Sequence, residues 1–200
     1  MSKVGFFGGS FDPIHFGHLK LAKELAAHAG LQEVWFCPAK INPHKQDRAT
    51  TAIAHRLNMI ALAIEGDPLF SLLNIEAKRE GPSYTVDTLQ SLIEREKREI
   101  VLILTDELIP DFMRWKDPQK IVSMVPLLIG SRLGSATGIL ESIKDPAIRE
   151  AMKKGLCPTT LFSISSTELR RRLAAGIACD KWIPQKVLDY IAQHKLYSTI

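Results

Sequence analysis

Two histidines three residues apart follow a glycine turn near the start of this chain, where residues 8–19 read GGSFDPIHFGHL. Gly8 and Gly9 end an apolar run and carry no side chains, so backbone N–H groups there can approach a ligand closely. His15 and His18 fall at the predicted start of a helix, whose unpaired N–H groups and positive dipole end favour an anion. These residue types at this spacing predict a phosphate-binding turn.

Two other interpretations of the histidine pair stay open at this point. The pair fits chance placement on a helix. A metal site would need further Cys, His or carboxylate ligands nearby, and because Asp12 alone is close in sequence, a metal site is disfavoured. The stretch also differs from the two familiar phosphate fingerprints, the GxxxxGK[ST] loop and the GxGxxG turn.

A second polar stretch, Ser165-Ser166-Thr167-Glu168, follows the last apolar run. Ser165 and Glu168 have the S-x-x-E spacing of a capping box, so another helix is predicted to begin here, and a cap without further function is one interpretation. Hydroxyls, helix N–H groups and the guanidinium of Arg170 are also what a polyphosphate needs. If both helices begin at one sheet edge, their positive ends can close on one triphosphate.

Short apolar runs alternate with stretches of helical spacing along the chain. We predict strands within residues 4–7, 34–37, 70–75, 100–104, 125–130 and 160–164, and helices around 19–26, 53–64, 86–93 and 147–153. This alternation predicts an α/β fold, a doubly wound Rossmann-like parallel sheet with helices on both faces. We expect a single domain over residues 1–200 with a C-terminal helical part over about 165–200, and a loop at the start of the Gly- and Ser-rich stretch 131–158.

The composition is that of an ordinary globular domain. The chain has 200 residues, 46% hydrophobic and 24% charged, with a net charge of +4. Three scattered cysteines (Cys37, Cys157, Cys179) fit no disulfide framework, and there is no signal-peptide pattern or membrane-spanning run, so we expect a cytoplasmic protein with no membrane partner. The dispersed, mild positive charge favours a small phosphate-bearing ligand over nucleic acid.

Taken together, the two polar stretches resemble the paired motifs of the HxGH nucleotidyltransferase superfamily. Gly8-Gly9-Ser10-Phe11-Asp12-Pro13 with His15-Phe16-Gly17-His18 resembles its signature, and Ile164-Ser165-Ser166-Thr167-Glu168-Leu169-Arg170 resembles its C-terminal motif. Asn42-Pro43-His44-Lys45 and Pro82-Ser83-Tyr84-Thr85 make the chain similar, over nearly its whole length, to the bacterial nicotinate-nucleotide adenylyltransferases within that superfamily.

That resemblance implies transfer of AMP from ATP to nicotinate mononucleotide, with Mg²⁺ held mainly through ATP phosphates. It assigns His15 and His18 to the ATP phosphates, with His18 stabilising the pentavalent transition state. Ser166, Thr167 and Arg170 would hold the departing pyrophosphate. The other residues that it assigns to ATP are Gly8, Gly9, Ser10, Phe11, Ser165, Asp106 and Arg132.

For the acceptor, the resemblance implies contacts from three segments. Asn42, His44 and Lys45 would meet the mononucleotide phosphate and the nearby loop, where a solvated lysine is the alternative. Tyr84 and Thr85 begin a helix that would suit the nicotinate carboxylate, or Thr85 is an ordinary cap. Trp115 would stack on the pyridine ring, or it anchors packing.

The chain departs from the family pattern at two places near the expected nucleotide site. Leu104 stands where the family usually has glycine in Gly-x-Asp, although Asp106 is retained, and Arg132-Leu133-Gly134 lacks the family's central proline. Rival functions are adenylyl transfer to nicotinamide mononucleotide or phosphopantetheine, and a nucleotide-binding regulator without activity. A homodimer is compatible with the sequence, which does not decide the oligomeric state.

Overall fold

The computed structural model of the chain describes residues 2–43, 50–132, 136–160 and 164–198. Within that part it contains a six-stranded sheet made of β1 (Lys3–Gly9), β2 (Glu33–Pro38), β3 (Phe70–Leu72), β4 (Glu99–Thr105), β5 (Leu127–Arg132) and β6 (Leu156–Thr159). The helices are α1 (Phe16–Ala29), α2 (Ile53–Ile64), α3 (Ile75–Lys78), α4 (Thr85–Arg95), α5 (Ile109–Phe112), α6 (Pro118–Met124), α7 (Ala136–Glu141), α8 (Pro146–Gly155), α9 (Ser166–Ala174) and α10 (Gln185–Gln193). A 3-10 turn over Asp106–Leu108 follows β4.

The strands lie in the order β3-β2-β1-β4-β5-β6, and every recorded pair is parallel. The chain builds the sheet outward from β1 to β3, then crosses back and continues from β4 to β6. This reversal places a crevice beyond the carboxyl ends of β1 and β4, which is where open parallel sheets bind ligands. The predicted doubly wound α/β fold is confirmed.

Helices cover both faces of the sheet. Neighbouring residues of a strand point to opposite faces, so each strand contributes side chains to both apolar clusters. Phe6 packs into one apolar cluster with β4, α4 and α6, and Phe7 packs into the other with α1, α2 and α10. Four consecutive residues of β1 are buried, which is typical of a strand inside a two-faced parallel sheet. The chain thus leaves the buried part of the sheet at Gly8 and Gly9, which line the crevice.

Three predictions about elements need correction. The last described strand spans Leu156–Thr159, ahead of the predicted 160–164, of which residues 161–163 lie outside the described residues. Pro158 is tolerated there because β6 is an edge strand. The third strand ends at Leu72, because Ile75 already begins a helix. In the stretch 131–158, α7 begins at Ala136, inside the part that was expected to be a loop, whereas α8 confirms the helix predicted around 147–153. The single-domain organisation stays a prediction.

Within the four described ranges, no helix is both long and apolar enough to cross a membrane.

Two glycines give a matched test of packing between α8 and the sheet. At Gly155 an added Cβ would lie 2.6 Å from the backbone oxygen of Leu127, whereas at Gly138 nothing lies within 4 Å. We expect Gly155→Ala to lower the free energy of unfolding by about 1–3 kcal/mol, since a backbone atom cannot move aside cheaply. Gly138→Ala, in the helix α7, is expected to raise it by up to about 1 kcal/mol. Urea unfolding of both variants measures this, and equal stabilities would contradict the packing.

Candidate active site

The two histidines of the first motif cap α1 reciprocally. The backbone N–H of Gly17 donates to Nδ1 of His15 at 3.1 Å, and the backbone N–H of His15 donates to Nδ1 of His18 at 3.3 Å. A ring nitrogen that accepts carries no hydrogen, so the proton of each neutral ring lies on Nε2. The helix start therefore fixes one tautomer in both rings, with the N–H donor on the opposite edge of each ring.

The predicted role of unpaired N–H groups at the start of α1 is wrong. Phe16 N–H donates to the carbonyl of Trp182 at 2.7 Å, His18 N–H donates to the carbonyl of His15 at 2.9 Å, and Gly17 N–H is taken by the His15 ring. These groups are already paired within the protein. The donors that α1 offers are its imidazole Nε2 atoms, together with the positive dipole end of the helix.

Packing holds both rings in place. His15 is 5% exposed, and burial lowers its pKa from 6.5 to about 4, so the ring is neutral near pH 7. The His18 ring lies 3.8 Å from the His15 ring between centroids and meets the edge of Phe11 at 5.0 Å. The donors are thus set before any ligand arrives.

Phe11 supports His18 from an unusual backbone conformation. Its φ of 47° lies in the left-handed region, which a bulky residue adopts only when its surroundings enforce it. The ring is buried against Phe7 and Phe36, with centroids 5.4 Å away in each case. An added Cβ on Gly9 would come within 3.0 Å of this ring, so the glycine makes room for Phe11. Phe11 orients the histidine as well as lining the pocket.

The second motif begins α9 and is bonded to the first motif. Ser165 caps the helix, accepting from Glu168 N–H at 3.2 Å. Ser166 Oγ donates to the carbonyl of Pro13 at 3.0 Å, and Arg170 donates to the carbonyl of Asp12 at 2.7 Å. Arg170 also donates to Thr167 Oγ1 at 3.3 Å. Two segments more than 150 residues apart therefore meet as the sequence predicts.

One cavity of about 420 Å³ joins the two motifs to the expected acceptor residues, a volume within the usual range for small-ligand sites. The predicted ATP residues that line it are Gly8, Gly9, Ser10, Phe11, His15, His18, Asp106, Ser165, Ser166, Thr167 and Arg170. The predicted acceptor residues that line it are Asn42, Tyr84, Thr85 and Trp115. His44 and Lys45 lie outside the described residues, as does the side chain of Arg132, whose backbone belongs to β5.

The acceptor end of the cavity is built on the start of α4. Tyr84 occupies the N-cap position, and its side chain makes no capping hydrogen bond. Thr85 is the first residue of α4, so it is not the cap. The Lys116 ammonium lies 5.0 Å from the centre of the Tyr84 ring, and the half-buried Trp115 lies 5.0 Å from Phe112. The half-buried ring of Trp115 and the N-terminus of α4 thus border the same cavity.

A buried carboxyl group, Glu76, stands beneath this helix start. It is 4% exposed, and Thr88 Oγ1 donates to it at 2.7 Å while accepting from Arg79 at 2.5 Å. Burial raises the pKa of Glu76, and the hydrogen bond from Thr88 opposes that shift. Glu76 was not predicted from the sequence, because its partner Thr88 is on the following helix.

Leu104, which replaces the family's glycine, does not obstruct the crevice. It is 2% exposed and packs in the apolar cluster that also contains Ile129, whereas the next two residues, Thr105 and Asp106, line the cavity. Alternation along β4 therefore turns the leucine toward the core.

Arg56, Tyr197 and the carboxyl group of Asp12 form a network that sequence reasoning missed. Tyr197 donates to Asp12 Oδ1 at 2.6 Å, and Thr51 N–H donates to its Oδ2 at 3.2 Å. Arg56 is 1% exposed and donates to backbone carbonyls on three segments. The sequence did contain a signal for this burial, because Arg56 lies four residues before Ile60 on the apolar face of α2.

Within the described ranges, no group of three or more His, Cys, Asp or Glu side chains is arranged to hold a metal ion.

The buried, neutral His15 makes stability depend on pH. Its folded pKa is about 4, against 6.5 for the ordinary group, so between these values the unfolded chain binds a proton that the folded chain excludes. Stability therefore falls as the pH is lowered through this window, by about 2 kcal/mol between about pH 7 and pH 5 from this group.

His15→Asn, which keeps a capping acceptor, should remove that part of the pH dependence. His28→Asn, at the exposed end of α1, should retain it. Urea unfolding at the two pH values measures the difference, and identical pH dependence in wild type and His15→Asn would contradict the buried neutral ring.

Comparisons with known proteins agree with this architecture. A family model described as cytidylyltransferase-like matches residues 6–172. A solved structure, Plasmodium falciparum nicotinic acid mononucleotide adenylyltransferase complexed with NaAD, matches with a TM-score of 0.78 over 98% of each chain at 23% identity. At that identity the likeness is one of fold.

Sequence similarity is higher to two bacterial relatives. A probable nicotinate-nucleotide adenylyltransferase from Thermomicrobium roseum is 39% identical across all of this chain and 94% of the relative. The nicotinate-nucleotide adenylyltransferase of Bacillus subtilis is 34% identical across the full length of both. The chain therefore belongs to the cytidylyltransferase-like family and, within it, to the nicotinate-nucleotide adenylyltransferases.

Proposed function

We propose that this chain transfers AMP from ATP to nicotinate mononucleotide, giving nicotinate adenine dinucleotide and pyrophosphate in NAD biosynthesis. Full-length relatives with that name support the assignment. The observation that carries it is the bond from Arg170 to the carbonyl of Asp12, because it brings the hydroxyl-rich turn of α9 against the turn that presents His15 and His18. One cavity then contains two sets of phosphate donors and an acceptor pocket.

The reaction requires no side-chain nucleophile. The phosphate oxygen of the mononucleotide is already ionised, and it attacks the α-phosphorus of ATP. A new P–O bond forms there while the bond from the α-phosphorus to the bridging oxygen breaks, and pyrophosphate leaves with that electron pair. Catalysis then consists of positioning and charge stabilisation.

The two histidines supply the donors at the reacting phosphate. Nε2–H of His15 and of His18 contact ATP phosphate oxygens, and His18 stabilises the extra negative charge of the pentavalent transition state. Because the His15 ring is neutral near pH 7, it contributes a directed hydrogen bond and no net charge. Its orientation is fixed in advance by the cap on α1, so little reorganisation accompanies the reaction.

The start of α9 receives the leaving group. Arg170 supplies a permanent positive charge, and Thr167 supplies a hydroxyl. The backbone N–H groups of Ser166 and Thr167 lie in the first turn of the helix and have no intrahelical acceptor. Ser166 Oγ already donates to the carbonyl of Pro13, and Glu168 N–H is paired with Ser165 Oγ. The pyrophosphate carries more charge after bond cleavage than before it, so these contacts strengthen along the reaction.

The acceptor occupies the other end of the cavity. The pyridine ring stacks on Trp115, and its carboxylate lies at the start of α4 near Tyr84 and Thr85, where the helix dipole favours an anion. Asn42, with His44 and Lys45 beyond it, is assigned to the mononucleotide phosphate. The carboxylate contact predicts preference for nicotinate over nicotinamide.

Mg²⁺ fits this cavity as a companion of the triphosphate. Mg²⁺ keeps several waters and typically takes few protein carboxylates alongside phosphate oxygens. The carboxylate of Asp12 accepts from Tyr197 and Thr51, and Asp106, which follows β4 and lines the same cavity, is assigned a water-mediated contact with the ion. When bound, the ion would neutralise phosphate charge. We also propose that the protein acts in the cytoplasm.

A panel of acceptors tests the function. We expect purified protein with ATP and Mg²⁺ to release pyrophosphate with nicotinate mononucleotide at a higher kcat/KM than with nicotinamide mononucleotide, and not with phosphopantetheine. Equal or reversed preference would refute the acceptor assignment. Absence of pyrophosphate release with every acceptor, while ATP still binds, would favour a regulator.

Substitution of His18 tests the transition-state role. His18→Asn keeps an acceptor for the N–H of His15 and removes Nε2–H, so we expect kcat to fall by about a hundredfold or more while ATP affinity changes much less. His28→Asn on the same helix should keep wild-type kcat. Steady-state kinetics and calorimetric ATP binding make the comparison, and unchanged turnover in His18→Asn would exclude His18 from the mechanism.

A further inference from the structure

Among the described residues, the largest fully buried side chain is a cation, Arg56, which belongs to α2 and not to either phosphate motif. Its guanidinium donates to three backbone carbonyls: Nε to Thr51 at 2.8 Å, Nη1 to Ser10 at 2.9 Å and Nη2 to Lys40 at 3.3 Å. A planar guanidinium can serve three acceptors at fixed angles, which an ammonium group on a flexible stem cannot.

The three carbonyls belong to the two loops that carry the substrates. Ser10 is in the turn between β1 and α1, which presents His15 and His18 to ATP. Lys40 and Thr51 stand at the two ends of the segment between β2 and α2 that contains Asn42. Arg56 therefore joins the described ends of this segment, residues 39–43 and 50–52 (the acceptor loop), to the turn over residues 10–15 (the ATP turn).

Two further hydrogen bonds connect the same two loops, so Arg56 is not their sole connection among the described residues. Thr51 N–H donates to Asp12 Oδ2 at 3.2 Å, and Asn42 Nδ2 donates to Ser10 Oγ at 3.4 Å. Burial lowers the pKa of Arg56, and the neighbouring Asp12 carboxylate opposes that shift, so the arginine stays charged and paired.

We propose that Arg56 is a positioning residue, which fixes the distance between the ATP turn and the acceptor loop so that the mononucleotide phosphate lies in line with the α-phosphorus. This inference rests on the proposed adenylyl transfer. Each loop binds its own substrate without Arg56, but the reaction depends on their separation, and a misplacement of about 1 Å can lower a rate by about a hundredfold.

The test compares Arg56→Lys and Arg56→Ala with a matched arginine elsewhere. The control is Arg98→Ala, because Arg98 pairs with Glu33 and lies over Trp35 at the amino end of the sheet, away from both loops. For each variant, kcat is measured together with the separate affinities for a non-hydrolysable ATP analogue, for nicotinate mononucleotide and for the dinucleotide product.

We expect Arg56→Lys to lower kcat by about tenfold or more, and Arg56→Ala by more, while each separate substrate affinity changes by less than about threefold at full binding stoichiometry. The dinucleotide, which spans both loops, should lose more affinity than the two separate losses multiplied together. Added guanidinium ion should restore part of the kcat of Arg56→Ala, whereas Arg98→Ala should keep the wild-type kcat with or without guanidinium ion.

Two results would overturn the inference. One is a kcat in Arg56→Lys within about twofold of wild type, and the other is a loss of kcat that equals the loss of binding-competent protein, which would mean a purely structural role. Arg56→Lys keeps the charge and most of the volume, so it provides the test if Arg56→Ala does not fold. Inactive wild-type protein would instead contradict the proposed function.

Discussion

Asp12 is the residue on which the site depends, because both its backbone and its side chain hold distant segments. Its carbonyl accepts from Arg170, and its carboxylate accepts from Tyr197 and from the backbone of Thr51. Asp12 itself is 3% exposed, in the turn that follows β1. A short turn is rarely rigid alone, but this one is bonded to α9, to the C-terminal segment and to the acceptor loop at the same time. The direction of the two imidazoles follows from that anchoring.

Some polar groups of the site contribute directed hydrogen bonds, and others contribute charge. His15 is neutral and oriented by the cap of α1, and Arg170 is charged and oriented by the carbonyl of Asp12. Both are held by backbone atoms, whose positions follow from the sheet. Such preorganised donors stabilise charge that develops during a reaction without rearranging first. This explains how a chain without an activated nucleophile among its recognised motifs can carry out group transfer.

Much of the site was predictable because its signals are local. Glycines after an apolar run, a histidine pair at a helix start and an S-x-x-E cap each describe a few adjacent residues, and alternation of runs defines the parallel sheet. The contacts that join these pieces were not predictable in the same way. Arg56 reads as one more charged residue of a helix until its three carbonyl partners are known, and they come from segments 5, 16 and 46 residues away.

The misplaced last strand and the role of the α1 N–H groups have similar causes. Pro158 argues against a strand in sequence, but an edge strand needs no N–H at that side. The N–H of Phe16 was expected to be available for an anion, yet the carbonyl of Trp182 occupies it, and that pairing depends on where the C-terminal part folds. Local propensity describes the elements, and tertiary packing decides which of their polar groups remain for ligands.

The hydrogen bonds from Arg170 and Tyr197 to Asp12 also determine when the site can form during translation. A nascent chain can form β1 and α1 early, but Arg170 and Tyr197 reach the Asp12 turn only after the sheet has been laid down and residues 165–197 have left the ribosome. The growing chain therefore has no complete triphosphate pocket, and nucleotide can stabilise only the nearly finished molecule.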